Sequence, residues 1–179
     1  MALRRSARLD AELEVFDLHQ VMSDSLLITS HRLKTFEVDV VMDSYGILLG
    51  HASHIGQVFT NLLTNAADAI GEKTEGALRI RIFDEERDGS LYLGVTIEDS
   101  GPGIQPELLE KVVEIFFTTK PSGKGTGLGL AITKRVLDEH EGTMTLGQSD
   151  ALGGARVHLL FPRRDEVRTL SRSPVVSKG

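Results

Sequence analysis

"FTTKPSGKGTGLGLAI", residues Phe117 to Ile132, sets glycine at four alternate positions, Gly123, Gly125, Gly127 and Gly129, and runs straight into an apolar segment. Inside regular structure each glycine costs about 0.5–1 kcal/mol relative to alanine, so the run marks a loop rather than a strand or a helix. The helix expected next, from about Leu128 to Glu139, offers unpaired N–H groups and the positive end of its dipole to an anion. Thr126 is placed to cap it. Lys120 and Lys124 add positive charge to a loop that can close over a polyphosphate and open again. A plain linker is the competing reading, but linkers are not usually bounded by residues like Phe116 and Phe117 and by so apolar a helix. Two familiar phosphate loops do not fit. Lys124 is followed by glycine where a Walker A loop needs serine or threonine, and Leu130 stands where the dinucleotide fingerprint needs its third glycine.

Upstream of this loop, Ile55, Val58, Phe59, Leu62, Leu63, Ala66 and Ala69 recur at helical spacing and form one apolar stripe. Gln57, Asn61 and Asn65 lie along its flank at i, i+4 and i+8. Asparagine is a poor choice for a helix interior, so two on one flank call for a reason. For Gln57 a solvent-facing polar edge suffices. For Asn65, nearest the stripe, the amide oxygen suits a hard cation such as magnesium, provided phosphates supply further oxygens.

The third constellation closes a strand. Leu91, Leu93, Val95 and Ile97 keep one face apolar, and the next residue in that period is Asp99. Burying a carboxylate without a donor costs about 1–3 kcal/mol, so Asp99 needs N–H groups. Its own turn, "DSGPGI", could supply them. Gly101 and Gly103 tilt the balance toward a flat ligand with an exocyclic amine, because neither carries a Cβ to hold such a ligand off.

Around these three lies an α+β pattern. A helix from Leu18 to about Arg32 precedes a strand, Phe36 to Met42, in which Phe36, Val38 and Val40 alternate with polar residues. Strands at Leu78 to Phe83 and Leu91 to Ile97 are joined by "DEERDGS", whose Asp88 and Gly89 signal a hairpin. A short helix is expected near Glu107 to Glu114, and the helix that begins near Leu128 is ended by Gly142. Strands at about Thr143 to Leu146 and Arg156 to Phe161 turn around "SDALGG". The sum is a two-layer α/β sandwich, a mixed and mostly antiparallel sheet covered on one face by helices.

Length and charge bound the rest. With 179 residues, 40% of them hydrophobic, there is enough chain for one sizeable core and too little for two. A net charge of −6 argues against nucleic acid as the ligand. Cysteine is absent, which removes disulfides and thiolate metal sites and fits a reducing compartment. No apolar run reaches membrane-spanning length, and "MALRRSARLDAELEVF" is too charged for a signal peptide, so a cytoplasmic location is expected. Residues 1–15 read as the end of a longer helix or a linker, 16–162 as the folded domain and 163–179 as a disordered tail.

Taken together, "NLLTNAADAI", "DSGPGI" and "FFTTKPSGKGTGLGLAI" resemble the N, G1, F and G2 boxes of the catalytic ATP-binding domain of sensor histidine kinases, in the superfamily shared with DNA gyrase B, Hsp90 and MutL. "GGARVHLLFP" resembles its closing hairpin. The resemblance implies the Bergerat ATP-binding fold, with ATP and Mg2+ as cofactors between the helices and a lid. It implies that Asn65 binds magnesium, that Asp99 receives the adenine amino group, that Gly101 and Gly103 lie beneath the base, and that Gly125, Gly127 and Gly129 lie near the phosphates. Asp68, Ile104, Thr119, Lys120, Lys124, Thr126 and Leu128 complete the implied nucleotide-binding set, and Asn61, Asn65 and Lys120 the catalytic one. Asp68 stands where many such kinases carry lysine, and Val113 and Ile115 where the F box commonly has phenylalanine and proline. Asn61 occupies the position at which ATP-hydrolysing relatives have a water-activating glutamate; an amide is no general base, which favours phosphoryl transfer over hydrolysis. No histidine here has an acceptor's setting, so the resemblance implies a histidine-bearing dimerisation domain as partner and, through it, a response regulator. A serine kinase of the anti-sigma type and a nucleotide-gated interaction module without transfer are the alternatives.

Overall fold

Alternating apolar residues in the central strands, and the single apolar stripe on the longest helix, have one economical solution: the helix lies on the sheet. The computed structural model describes residues 13–71, 75–109, 111–114 and 127–163. In chain order the elements are β1 (Glu14–Asp17), α1 (Leu18–Leu33), β2 (Phe36–Met42), β3 (Ile47–Gly50), α2 (Ala52–Ile70), β4 (Gly76–Arg87), β5 (Ser90–Asp99), two 3-10 turns (Pro106–Leu108 and Lys111–Val113), α3 (Gly129–Glu139), β6 (Thr143–Gln148) and β7 (Ala155–Pro162). Five strands form one sheet in the order β2-β4-β5-β7-β6, in which only the β2–β4 pair is parallel. The expected mixed, mostly antiparallel sheet with helices is what the chain forms.

Register explains the core. Ile82 pairs with Val95 and Val95 with Leu159, while Ile80 pairs with Ile97, so these side chains share one face. Against them pack Ile55, Val58, Phe59, Leu62 and Leu63 of α2, all buried. α1 adds Leu18, Met22 and Leu33 at helical spacing. The opposite face of the sheet is charged: Arg79 and Arg81 of β4 meet Asp39 of β2, and His158 of β7 meets Glu85 of β4 at 3.0 Å.

Several expectations are corrected. Asp88 (φ 49°) and Gly89 (φ 74°) alone make the β4–β5 turn, both in the left-handed region that a two-residue hairpin requires, so the strands run longer than expected. The segment Glu107 to Glu114 is not one helix but two separate 3-10 turns; it is short and carries a β-branched residue at Val112. Past the C-terminus of α3 the left-handed residue is Glu141 (φ 56°), not Gly142. Gly142 instead donates its N–H to the Leu137 carbonyl, and a Cβ there would lie 2.7 Å from the Leu160 carbonyl oxygen. Two short strands have no counterpart among the expected elements: β1 and β3 pair antiparallel, Phe16 opposite Leu48, and extend the folded part back to Glu14. No helix among the described residues is long and apolar enough to cross a membrane.

Candidate functional site

The register that builds the core also aims Asp99. It pairs with Leu78, a core residue, so the carboxylate at the end of β5 points to the helical side, only 6% exposed. Its Oδ1 accepts from two backbone N–H groups, Gly101 at 2.8 Å and Ala155 at 3.2 Å. Asp99 thus caps its own turn, one of the two readings of the sequence, and does so while buried. Burial pushes its carboxyl above the ordinary 3.8, and the two N–H groups pull it only part of the way back. Among the described residues no donor reaches Oδ2, which stays available to an external N–H.

The loop after Asp99 is pressed against α2. A Cβ on Gly101 would meet Asp99 Oδ1 at 2.8 Å and the Ala69 backbone at 3.0 Å. Gly103 has φ +77°, a conformation that favours glycine. Ile104 beyond it is half-buried. Sequence reasoning missed the third wall. A Cβ on Gly154 would fall 2.2 Å from the Asp99 carbonyl oxygen, 2.4 Å from its Oδ1 and 2.6 Å from the Gly101 nitrogen. The paired glycines at 153 and 154 were the available signal; Gly153 serves the turn (φ +79°) and Gly154 the close approach.

Along α2 the amides meet the start of α3. Asn61 Nδ2 donates to the Gly129 carbonyl at 3.5 Å, and Asn65 Nδ2 lies 3.6 Å from where a Gly129 Cβ would sit. Asn61 and Asn65 are half-buried, whereas Gln57 is exposed, as expected of a polar edge. Asp68, one turn beyond Asn65, pairs with Arg32 of α1 at 2.5 Å. Gly127 has φ 63°, and α3 opens at Gly129 with Leu128 in the capping position, where it offers no side-chain hydrogen bond. Thr119, Lys120, Lys124, Gly125 and Thr126 lie outside the described residues.

The donor set bears on which cation could be held. Among the described residues no cluster of His, Cys, Asp and Glu is arranged to hold a metal. An amide such as Asn65 offers a single neutral hard oxygen, which fits an ion whose other ligands are phosphate oxygens and water, as magnesium prefers.

Along α2 there thus stand a buried carboxylate with one oxygen that takes no described donor, a glycine pressed against the helix, two amides and the start of α3. The sequence model of the histidine kinase-, DNA gyrase B- and HSP90-like ATPase family matches residues 50–165. The sensor protein ChvG of Agrobacterium fabrum is 31% identical over 179 aligned positions, covering 88% of this chain and 29% of ChvG. Sensor kinase CckA of Brucella abortus is 32% identical over 92% of this chain and 18% of CckA. The chain thus spans less than a third of the length of these curated relatives. The solved structure of the mycobacterial sensor histidine kinase MprB superposes with a TM-score of 0.73 at 30% identity, covering 85% of this chain and 98% of that one. The chain belongs to the histidine kinase-, DNA gyrase B- and HSP90-like ATPase family, in the branch formed by the ATP-binding catalytic domains of sensor histidine kinases.

Proposed function

We propose that this chain binds Mg-ATP and presents the γ-phosphate to a histidine on a dimerisation domain, the first step of two-component signalling. The observation that carries the reading is Asp99: a buried carboxylate whose Oδ1 accepts from two backbone N–H groups, while Oδ2 takes no donor among the described residues. An exocyclic amine of adenine is the donor that fits, with Gly101 leaving room for the flat base. The phosphates then extend along α2 toward Asn61, Asn65 and the N–H groups that open α3. Asn65 would hold the magnesium ion through its amide oxygen. The ion, when bound, neutralises charge on the phosphate oxygens. Lys120 and Lys124, with Thr119, Gly125 and Thr126, are assigned to the lid on sequence grounds.

The acceptor imidazole nitrogen forms its bond to phosphorus as the bond to the β,γ-bridging oxygen breaks, and ADP leaves with that electron pair. This domain's share is positioning and charge neutralisation. Asn61 supplies no base, so water is not activated for hydrolysis. A response regulator would receive the phosphoryl group afterwards.

The test uses the whole chain with a separately made histidine-bearing dimerisation domain of a relative. Asp99→Asn should lose most nucleotide affinity, at least about tenfold in calorimetric titration, because an amide presents N–H to N–H. Asn65→Ala should lose transfer while keeping measurable binding in EDTA. Normal labelling of the acceptor by either variant would show that the role is misassigned. Binding without any acid-labile labelling would favour the nucleotide-gated module.

A further inference from the structure

Three histidines gather far from the nucleotide edge, where the start of α2 meets the end of α3. His140 follows α3 directly and is 8% exposed. Its ring lies across Gly50, where a Cβ would meet His140 Cδ2 at 2.4 Å and Nε2 at 2.6 Å. The Nδ1 is 2.7 Å from the Val136 carbonyl oxygen, and the backbone N–H of His51 donates to Nε2 at 2.9 Å. A carbonyl can only accept and a backbone N–H can only donate, so the imidazole is neutral, with its proton on Nδ1. Among the described residues the polar links between the end of α3 and the start of α2 are this bond and the contact of His54 Nδ1 with Glu139 Oε2 at 3.3 Å.

α3 is thereby held at both ends. Its N-terminus touches the amides of α2 through Asn61 and Gly129, and its C-terminus is bolted to the residue that precedes α2. Eleven helical residues form a rod about 16 Å long, and displacing one end of a rod moves the other. We propose, resting on the nucleotide reading of the site, that neutral His140 is a positioning residue whose bond to the His51 N–H sets where Gly127–Gly129 stand, and that protonating it releases α3 and weakens nucleotide binding.

A proton on Nε2 would set two donors head to head in a buried place, with nothing to accept either. The titratable groups that act on His140 are His51 and His54 from the start of α2 and Glu139 from α3 itself. The His51 ring meets it edge-on at 5.7 Å and stands 5.0 Å from the His54 ring. His54 Nδ1 in turn lies 3.3 Å from Glu139 Oε2. Either neighbouring imidazole, once charged, opposes the proton on His140, and Glu139 favours it. Burial is the largest influence and holds His140 below the ordinary 6.5. The latch is therefore closed near neutral pH and opens on acidification.

The experiment measures Mg-ADP affinity of the whole chain at pH 7.5 and 5.5, together with the His140 imidazole and α3 amide signals by NMR. His140→Ala should weaken binding at pH 7.5 by about fivefold, the lower end of ordinary coupling between sites. His140→Gln, whose Oε1 can still accept from His51 but does not titrate, should recover most of that loss. It should also lose at least about fivefold less affinity than the wild type on going to pH 5.5. By reciprocity, saturating Mg-ADP should move the His140 titration midpoint to lower pH. Parallel pH profiles for wild type and His140→Gln, or a midpoint unmoved by saturating nucleotide, would overturn the proposal. If no protein binds nucleotide at any pH, it is the nucleotide reading that fails. The ligand-free spectra then decide the latch: the amide signals of Gly129–Ile132 must shift with the His140 titration, and their constancy overturns it.

Discussion

Gly154 is a residue at which chemistry and packing cannot be separated. Any side chain there would collide with the Asp99 carbonyl and carboxylate and with the Gly101 nitrogen, all of them backbone or otherwise fixed atoms. Relief must come from moving the β7 entry, which also carries the Ala155 N–H away from Asp99 Oδ1. Gly154→Ala should therefore weaken Mg-ATP binding at least about tenfold, an effect to be read by calorimetry at constant pH. Asp99 itself would then be a buried carboxylate with one donor fewer, a defect of about 1–3 kcal/mol. Restored affinity in a Gly154→Ala variant would mean that the hairpin does not set the carboxylate's aim. Position 99 was legible in the sequence because its parity in the strand is a geometric necessity. Position 154 was not, because its partner is 55 residues away and only the β5–β7 register brings the two together.

At the scale of elements, α2 is both platform and core. Phe59 and Leu63 are fully buried against the sheet, each two residues from an asparagine, Asn61 or Asn65, on the functional flank. Phe59→Ala should cost about 3–5 kcal/mol, a large share of the about 5–15 kcal/mol available to a domain. Urea midpoints should fall accordingly with unchanged slope, and saturating Mg-ATP should recover part of the loss by mass action. A midpoint within error of wild type would show that Phe59 is not the keystone its burial implies. α2 was legible almost whole because nineteen residues give five turns over which a period can declare itself. β1 and β3, of four residues each, give two alternations apiece and no statistical signal. They exist because each is the other's partner. For α3 the described residues give a start at Gly129 behind a left-handed Gly127, close to the start near Leu128 expected from the sequence.

For the whole molecule, the buried titratable groups set a pH profile whose sign can be worked out. His140 and His158 both have their pKa held below the ordinary 6.5, in each case chiefly by burial. For His158, Glu85 pulls upward and Arg156 and Arg87 push downward. A depressed histidine means that the unfolded chain binds the proton more tightly. Stability is then complete above about pH 6.5 and drains away as pH falls through the lower folded values. Asp99 acts in the opposite sense, since its raised pKa favours the protonated folded form, but its window begins at 3.8 and opens only below its raised folded value. The imidazoles lie on opposite sides of the sheet, His140 buried and His158 half-buried, and are not coupled through a shared partner, so their contributions should add. Wild-type urea midpoints should therefore fall between pH 7.5 and 5.5. His140→Gln and His158→Gln should each flatten that slope, and the double variant should flatten it by the sum. A double variant whose midpoint falls as steeply as the wild type's would place the acid sensitivity elsewhere, in the carboxylates of the outer sheet face.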